Sequence, residues 1–279
     1  MRSFLMIGQS NMGGRGYLKD VRPIVDDKIS MLVNGRWQTM TEPINFDRPT
    51  SGIGLAASFA GAWRMRHGQG DIGLIPCADG GTALDDWAVG GTLFDHAVFQ
   101  AKLARRTSEI DGILWHQGEN DSVAGRSVAY YDKLAVIVKA LRDELGTPDI
   151  PFVAGALGDF LTAGRYGKYF TEGDKVNDAL LKYADTEPNA HFVTAEGLTP
   201  NADGLHFDAV SQRKFGIRYF EAFDKRANIL LPVADENERI AVIENRELNT
   251  AEKKMLLEIS FGRGEITLNQ LEEKMSALV

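Results

Sequence analysis

A serine near the amino terminus is the first residue whose position suits catalytic chemistry. The apolar run Phe4-Leu5-Met6-Ile7 predicts a buried strand, and Gly8-Gln9-Ser10-Asn11-Met12 follows it directly. A strand that ends in glycine, with serine two residues later, can present one hydroxyl from a tight turn at the edge of a sheet. We take Ser10 as the candidate nucleophile. The alternative is that Ser10 and Asn11 only cap a helix or form a turn.

A serine hydroxyl is a weak nucleophile until a base removes its proton, and histidine is the usual base. Of the five histidines, His206 stands in the segment Asp203-Gly204-Leu205-His206-Phe207. A carboxylate three residues before an imidazole, with a glycine that lets the chain turn, can accept a hydrogen bond from one ring nitrogen while the other faces outward. The alternative is that Asp203 caps the following helix and His206 is a surface residue.

Acyl transfer also needs hydrogen-bond donors at the oxyanion that develops in the tetrahedral intermediate. The backbone N–H groups of Ser10 and Gly81 are two candidates, because glycine lets the main chain approach closely. The side-chain amide of Gln117, after a later strand, is a third. An ordinary strand-to-helix turn is the alternative for Gly80-Gly81.

The elements that must position these residues alternate between strand and helix. Strands are predicted at residues 4–7, 71–78, 112–115, 151–155 and 191–194, and helices at 51–67, 93–106, 130–145, 175–184 and 209–223. Asn34-Gly35 predicts a separate small hairpin, and Ser51 is the expected cap of the first long helix. Such alternation predicts a three-layer α/β/α sandwich with a mostly parallel, flavodoxin-like sheet of about five strands. Four segments follow carboxyl ends of strands and should therefore face one crevice: Ser10, the Gly80-Gly81 pair, and the loops at residues 116–121 and 158–173.

Four ordered blocks resemble one known family. Gly8-Gln9-Ser10-Asn11-Met12, Gly80-Gly81-Thr82, His116-Gln117-Gly118-Glu119 and Asp203-Gly204-Leu205-His206 are together similar to the sialate O-acetylesterase and acetylxylan esterase branch of the SGNH hydrolases. The resemblance is close to proteins labelled acetylxylan esterases, and it spans roughly residues 3–223. It implies the SGNH hydrolase fold.

The resemblance also implies roles for individual residues. Ser10 would be the nucleophile, His206 the base and Asp203 its partner, with the oxyanion hole formed by the backbone of Ser10 and Gly81 and by Gln117. The wider superfamily has an asparagine in the third block, where this chain has His116-Gln117-Gly118-Glu119. Glu119 is therefore assigned a supporting role, either positioning the loop, which we favour, or acting as a second carboxylate near His206.

The implied reaction is removal of O-acetyl groups from sugars through an acyl-enzyme, with no metal or other cofactor. Acetylxylan-type oligosaccharides are the preferred substrate and O-acetyl sialic acid the first alternative. Trp87, Tyr166 and Tyr169 follow the second and fourth main strands, and we expect them to contact the sugar, with simple packing as the alternative.

Two other classes of function stay open. His116, Glu119, Asp121, Asp203 and His206 are residue types that bind zinc, as in a metal-dependent hydrolase. However, no His-Glu-x-x-His pattern is present, and a metal site would leave Ser10 and Gly81 without a role. The other class is a catalytically silent sugar-binding module whose functional part is its helical tail.

Composition limits the partners and the location. The 279 residues are 44% hydrophobic and 25% charged, as in ordinary globular proteins, and the formal net charge of -8 argues against a nucleic-acid partner. The single cysteine, Cys77, excludes an internal disulfide and is expected to be a core residue. Only four apolar residues follow Arg2 and Ser3, too few for a signal peptide, and no membrane span is apparent. We therefore expect a cytoplasmic protein without membrane contact.

The character of the chain changes after Leu230-Leu231-Pro232. Apolar residues beyond this point recur at helical spacing, interrupted near Asn249-Thr250 and Gly262-Arg263-Gly264. We therefore expect an esterase domain at residues 1–232 and a helical carboxyl-terminal extension at 233–279. The extension is predicted either to pack on the domain, which we favour, or to form a homo-oligomer contact.

Overall fold

A seven-stranded sheet forms the middle layer of the computed structural model, which describes residues 1–68 and 70–278. The strand order is β3-β2-β4-β1-β5-β6-β7, and every neighbouring pair is parallel except β2 with β3. The strands are β1 (Arg2–Gly8), β2 (Ile29–Val33), β3 (Arg36–Thr39), β4 (Ile72–Pro76), β5 (Glu109–His116), β6 (Phe152–Gly155) and β7 (Ala190–Val193). The predicted three-layer α/β/α fold is confirmed, with seven strands rather than about five.

The additional strands come from the Asn34-Gly35 hairpin, which belongs to the main sheet. Strand β2 runs parallel to β4, with Ile29 opposite Ile72 and Met31 opposite Leu74. Ile29 and Met31 are both buried. Because these apolar side chains need cover, the hairpin joins the sheet edge instead of standing apart from it.

Ten helices surround or extend this sheet in the described residues. They are α1 (Ser10–Gly13), α2 (Ala56–His67), α3 (Thr92–Ala104), α4 (Tyr130–Leu145), α5 (Phe160–Ala163), α6 (Gly173–Thr186), α7 (Ala209–Lys225), α8 (Glu236–Glu244), α9 (Thr250–Gly262) and α10 (Leu268–Ser276). Short 3-10 helices lie at Leu84–Trp87, Glu119–Asp121 and Ser127–Ala129. Helices α2 and α7 pack together on one face of the sheet, and α3, α4 and α6 form the other layer.

Helix α2 begins five residues later than the sequence pattern predicts. Residues 52–54 run extended against residues 14–16, with reciprocal hydrogen bonds between Gly16 and Ile53 (3.0 and 2.7 Å). The Ser51 hydroxyl donates to Asp47 Oδ1 (2.9 Å) and does not cap the helix. The expectation of a helix start at Ser51 was wrong because the chain is held in this pairing.

The core lies on both faces of β1. Phe4, Leu5, Met6 and Ile7 are each at most 1% exposed, as expected for a central parallel strand covered on two sides. Cys77 is buried at the end of β4, and this burial raises the pKa of its thiol. No helix in the described ranges is long and apolar enough to cross a membrane. The cytoplasmic location stays a prediction.

The carboxyl-terminal extension is helical, and its first helix packs on the domain. Helix α8 contacts α2 and α7, and a Cβ at Gly61 would lie 2.6 Å from Ile243 Cγ2, so glycine is needed for this approach. Glu236 forms an ion pair with Arg218 (2.8 Å), and both side chains are at most 7% exposed. By contrast, α10 has no buried residue and packs on α9.

Candidate active site

The structure brings Ser10, His206 and Asp203 into one hydrogen-bonded chain. His206 Nε2 lies 2.9 Å from Ser10 Oγ, and His206 Nδ1 lies 2.7 Å from Asp203 Oδ2. Ser10 is the first residue of α1, directly beyond the end of β1. The turn depends on Gly8, whose φ is +132° and where a Cβ would lie 2.1 Å from the carbonyl oxygen of His116. Residues 196 positions apart in the sequence thus lie in contact.

Asp203 organises its own turn as well as the imidazole. Its Oδ1 accepts hydrogen bonds from the backbone N–H groups of Leu205 (2.9 Å) and His206 (3.0 Å). Burial opposes ionisation of this carboxyl, but the hydrogen bonds from the His206 ring and from the two N–H groups lower its pKa overall. The cap of α7 is Asp208, which accepts from Ser211 N–H (2.7 Å). The capping alternative for Asp203 is therefore excluded.

Two backbone donors are available beside Ser10. Neither the N–H of Ser10 nor that of Gly81 has an acceptor within residues 1–68 and 70–278. Gly81 has a φ of +82°, a conformation that favours glycine. The loop lies against the serine, since a Cβ at Gly80 would be 3.5 Å from Ser10 Cβ.

A buried ion pair holds the glycine loop in place. Asp47 Oδ2 accepts from Gly80 N–H (2.8 Å) and from Arg15 Nη2 (2.6 Å), and the side chains of Arg15 and Asp47 are only 6% and 3% exposed. Burial raises the pKa of Asp47, but the hydrogen bond and charge of Arg15 bring it below its usual value. Asp47 therefore stays charged and fixes the Gly80-Gly81 backbone. The sequence contains no local signal for this role.

Gln117 requires a correction. Its side chain is fully buried, and its amide nitrogen lies 2.6 Å from Asp121 Oδ2, 3.1 Å from the carbonyl oxygen of Thr82 and 3.2 Å from Gln9 Oε1. An amide has two hydrogens, and these acceptors occupy both. The geometry therefore makes Gln117 a positioning residue that ties three loops together, and it leaves no hydrogen for an oxyanion.

Asn11 is a site residue that sequence reasoning did not assign. Its amide nitrogen donates to Glu119 Oε1, and its Oδ1 accepts from Phe207 N–H (3.0 Å). The side chain therefore connects the Ser10 turn to the β5 loop and to the residue after His206. The available signal was its place beside Ser10, with a side chain that both donates and accepts.

Glu119 accepts a hydrogen bond from Asn11 and does not contact the His206 imidazole through a hydrogen bond. It is 3% exposed, and within the described residues the hydrogen-bond partners of the His206 ring are Ser10 and Asp203 alone. The positioning role for Glu119 fits this geometry, and the second-carboxylate alternative does not.

The five residues considered for zinc do not converge. His116 is buried, its Nε2 is 3.2 Å from the carbonyl oxygen of Ala156, and burial lowers its pKa, so the ring is neutral. His206 is engaged with Ser10, and Asp121 with Gln117. Among residues 1–68 and 70–278, the cluster of potential metal ligands is Asp26, Asp27 and Glu252, which contains none of the five.

The three aromatic residues predicted to contact sugar do not line the crevice together. Trp87 is 1% exposed and its Nε1 donates to Thr82 Oγ1 (3.1 Å), so that prediction was wrong because the indole packs in the core. Tyr166 is partly buried near Phe170, with ring centroids 6.3 Å apart. Tyr169 is 56% exposed.

A cavity of about 690 Å³ opens beside the imidazole instead. His206 and Asp203 form one side of it. The other side consists of two segments that sequence reasoning did not assign to the site, residues 15–19 and 50–52.

Fold and site together define a carboxylic ester hydrolase with the architecture of the SGNH hydrolases. Residues 1–225 match the family model described as "SASA: Carbohydrate esterase, sialic acid-specific acetylesterase". Because this match covers most of the chain, the protein belongs to that carbohydrate esterase family. Helices α8 to α10 lie outside the matched residues.

Known proteins agree with this assignment. The chain is 31% identical over 242 residues to the "probable carbohydrate esterase At4g34215" of Arabidopsis thaliana, covering 79% of this chain and 89% of the relative. The X-ray structure of that protein superposes with a TM-score of 0.73 at 29% identity, over 80% of this chain and 98% of its own.

More distant structures share the fold. NanS matches with a TM-score of 0.64 at 16% identity, over 81% of this chain and 96% of its own. XAC1771, a carbohydrate acetylesterase from Xanthomonas citri, matches with a TM-score of 0.59 at 19% identity, over 79% of this chain and 55% of its own.

Proposed function

We propose that this protein is a serine carbohydrate esterase that removes O-acetyl groups from sugars through an acyl-enzyme intermediate. The observation that carries the proposal is the continuous hydrogen-bonded chain from Ser10 Oγ through His206 to Asp203. Family membership supplies the reaction class, and this chain supplies a nucleophile, a base and an orienting carboxylate in reach of one another.

Acylation follows from the geometry of the site. His206 Nε2 takes the proton of Ser10 Oγ as the oxygen attacks the acetyl carbonyl carbon, and Asp203 holds the imidazolium that forms. The free N–H groups of Ser10 and Gly81 donate to the oxyanion. The C–O bond to the sugar then breaks, and Nε2–H gives its proton to the departing sugar oxygen.

Deacylation uses the same groups in reverse. Water replaces the sugar alcohol, His206 Nε2 takes a proton from the water as it attacks the acetyl-serine carbonyl, and the second tetrahedral intermediate collapses. The proton returns to Ser10 Oγ and acetate leaves. Every step uses side chains of this chain, and no cofactor is part of the proposed mechanism.

Acetylxylan-type oligosaccharides are the preferred substrates in this proposal. O-acetylated sialic acid is the second candidate, favoured by the description of the family model. Acetate release should be measured on acetylated xylo-oligosaccharides, O-acetyl sialic acid and other acetylated sugars. A kcat/KM at least tenfold higher for the xylan fragments supports the preference, and a higher value for O-acetyl sialic acid reverses it.

The serine mechanism is tested with an aryl acetate. We expect Ser10→Ala to abolish p-nitrophenyl acetate hydrolysis, whereas the matched control Ser276→Ala on α10 keeps parental activity. Activity of the parent should survive EDTA. Loss with EDTA and recovery with zinc would favour a metal-dependent hydrolase, and a parent without any esterase activity would favour a silent sugar-binding module.

A further inference from the structure

The direction in which the alcohol leaves is determined by the imidazole. In the proposed mechanism, the departing sugar oxygen must receive its proton from His206 Nε2, the nitrogen that faces Ser10. The oxyanion lies on the other side of the acetyl carbon, toward Gly81. The alcohol half of the ester therefore passes beside His206.

The 690 Å³ cavity opens beside the same imidazole. It is bounded by His206 and Asp203, and by the segments at residues 15–19 and 50–52. This volume is in the usual range for sites that hold small organic ligands, about 300–1,000 Å³. The acetyl group is far smaller than this, so the cavity fits the alcohol half of the ester.

The walls of the cavity are held in position by the backbone. Gly52 N–H donates to the carbonyl oxygen of Gly14 (3.0 Å), next to the reciprocal pair between Gly16 and Ile53. A Cβ at Gly52 would lie 2.2 Å from the backbone oxygen of Gly16, so the two segments meet this closely only because residue 52 is glycine. The cavity is preformed in this structure, which lowers the entropic cost of binding.

A buried asparagine connects this wall to the catalytic loop. Asn201 is 6% exposed. Its side-chain amide donates to the carbonyl oxygen of Arg15 (2.7 Å), and its backbone N–H donates to the backbone carbonyl oxygen of His206 (2.7 Å). Asn201 therefore connects the backbone of the wall to the backbone of the residue that carries the imidazole.

The exposed side chains of the wall have the chemistry that binds a sugar. Tyr17 is 45% exposed, Lys19 is exposed, and Arg15 is already paired with Asp47. Sugars present apolar ring faces and hydroxyl edges, which suit an aromatic ring with a hydrogen-bond donor beside it. No ion pair involves Lys19 anywhere in the described ranges.

We infer that Tyr17 and Lys19 form the subsite for the sugar alcohol, with Tyr17 stacking on a sugar ring and Lys19 donating to its oxygens. This inference rests on the proposed function and makes it more specific. It also relocates sugar recognition from Tyr166 and Tyr169 to a segment directly after the Ser10 turn. Neither tyrosine lines this cavity.

Paired substrates isolate the subsite. Acetate release should be measured on an acetylated xylo-oligosaccharide, whose alcohol fills the cavity, and on methyl acetate, whose alcohol is too small to reach Tyr17. Tyr17→Ala should raise KM for the oligosaccharide about tenfold with kcat little changed, because a tenfold change corresponds to a modest stacking energy. The same substitution should leave kcat/KM for methyl acetate within about twofold of the parental value. Tyr17→Phe should retain parental kinetics because the ring remains.

Controls distinguish this inference from simpler explanations. Phe99→Ala removes a comparably exposed aromatic ring on α3 and should leave KM and kcat unchanged for both substrates. Lys19→Met should also raise KM for the oligosaccharide alone. Equal losses of Tyr17→Ala on both substrates, or no loss on the oligosaccharide, would overturn the subsite while leaving the proposed function intact. A parent that hydrolyses methyl acetate and no acetylated sugar would instead overturn the proposed function.

Discussion

The two sides of the crevice differ in how their residues are held. On the β5 side, Asn11, Gln117 and Glu119 are at most 3% exposed and hydrogen-bond to one another's loops. On the cavity side, Tyr17 and Lys19 are exposed, and within residues 1–68 and 70–278 their side chains belong to no such network. We refer to these as the buried side and the open side.

This difference indicates that the two sides have separate functions. The buried side determines where Ser10, Thr82 and the residue after His206 lie, whichever ester is bound. Only the alcohol half of the ester contacts the open side. Substitutions on the buried side should therefore lower kcat for every ester, and substitutions on the open side should change KM for large alcohols.

The largest effect is expected at Asp203, which links the open side to the base. Asp203→Asn keeps the side chain's shape but presents the wrong partner to His206 Nδ1–H. We expect kcat to fall about 10⁴-fold, as in other Ser-His-Asp enzymes. Steady-state kinetics on methyl acetate and on an acetylated oligosaccharide should show the same loss. A loss below tenfold would mean that Asp203 does not orient the base.

The next effect is expected at Gly81. An alanine there meets no neighbour within 4 Å, but the φ of +82° is strained for it, so the backbone N–H should move away from the oxyanion. Loss of one oxyanion donor costs about 10²- to 10³-fold in kcat, and we expect the lower end of that range. Gly125→Ala, at a φ of +86° with the same open space, serves as the control and should keep parental activity. Unchanged kcat in Gly81→Ala would remove Gly81 from the oxyanion hole.

A smaller effect is expected at Glu119, on the buried side. Glu119→Ala leaves the Asn11 amide without its acceptor, a loss of about 1–3 kcal/mol, which corresponds to about 5- to 150-fold in kcat if it is expressed as misplacement of Ser10. KM for both substrates should stay unchanged. Glu119→Gln keeps an acceptor oxygen and should recover most of the activity. If KM rises for the large alcohol alone, the division between the two sides is wrong.

The smallest effect concerns stability and pH. The pKa of Asp203 is lowered in the folded protein, so its ionised form is stabilised there. This contribution is present above the unfolded pKa, near 3.9, and is lost as the pH falls through the lower folded value. The melting temperature of the parent should therefore exceed that of Asp203→Asn at pH 6, and the difference should shrink below about pH 4. A difference that grows on acidification would contradict the assigned direction.

The sequence alone predicts the parts of this enzyme that depend on local spacing. Ser10 follows a strand and Asp203 precedes His206 by three residues, so both halves of the hydrogen-bonded chain carry a local signal. The alternation of strands and helices likewise predicts the layers. Ser51 was misassigned as a helix cap because the segment that follows it pairs with residues 14–16. No local sequence pattern predicts this contact.

The remaining errors concern contacts between distant segments. The amide of Gln117 is occupied by Asp121 and by Thr82, 35 residues away, and the buried Trp87 indole packs edge-on against Trp115 of β5. The cavity is lined by three segments that are far apart in the sequence, at residues 15–19, 50–52 and 203–206. Chemical type was therefore predictable, whereas the direction of each side chain was not.

The nucleophile is identified most directly by the residue that a serine-directed phosphonate modifies covalently. We expect one adduct per chain, located by peptide mass spectrometry on Ser10, with activity lost in proportion to labelling. His206→Ala should label far more slowly, and Ser10→Ala should not label. An adduct on another residue, or a fully labelled protein that still hydrolyses acetyl esters, would contradict the assignment of Ser10 as the nucleophile.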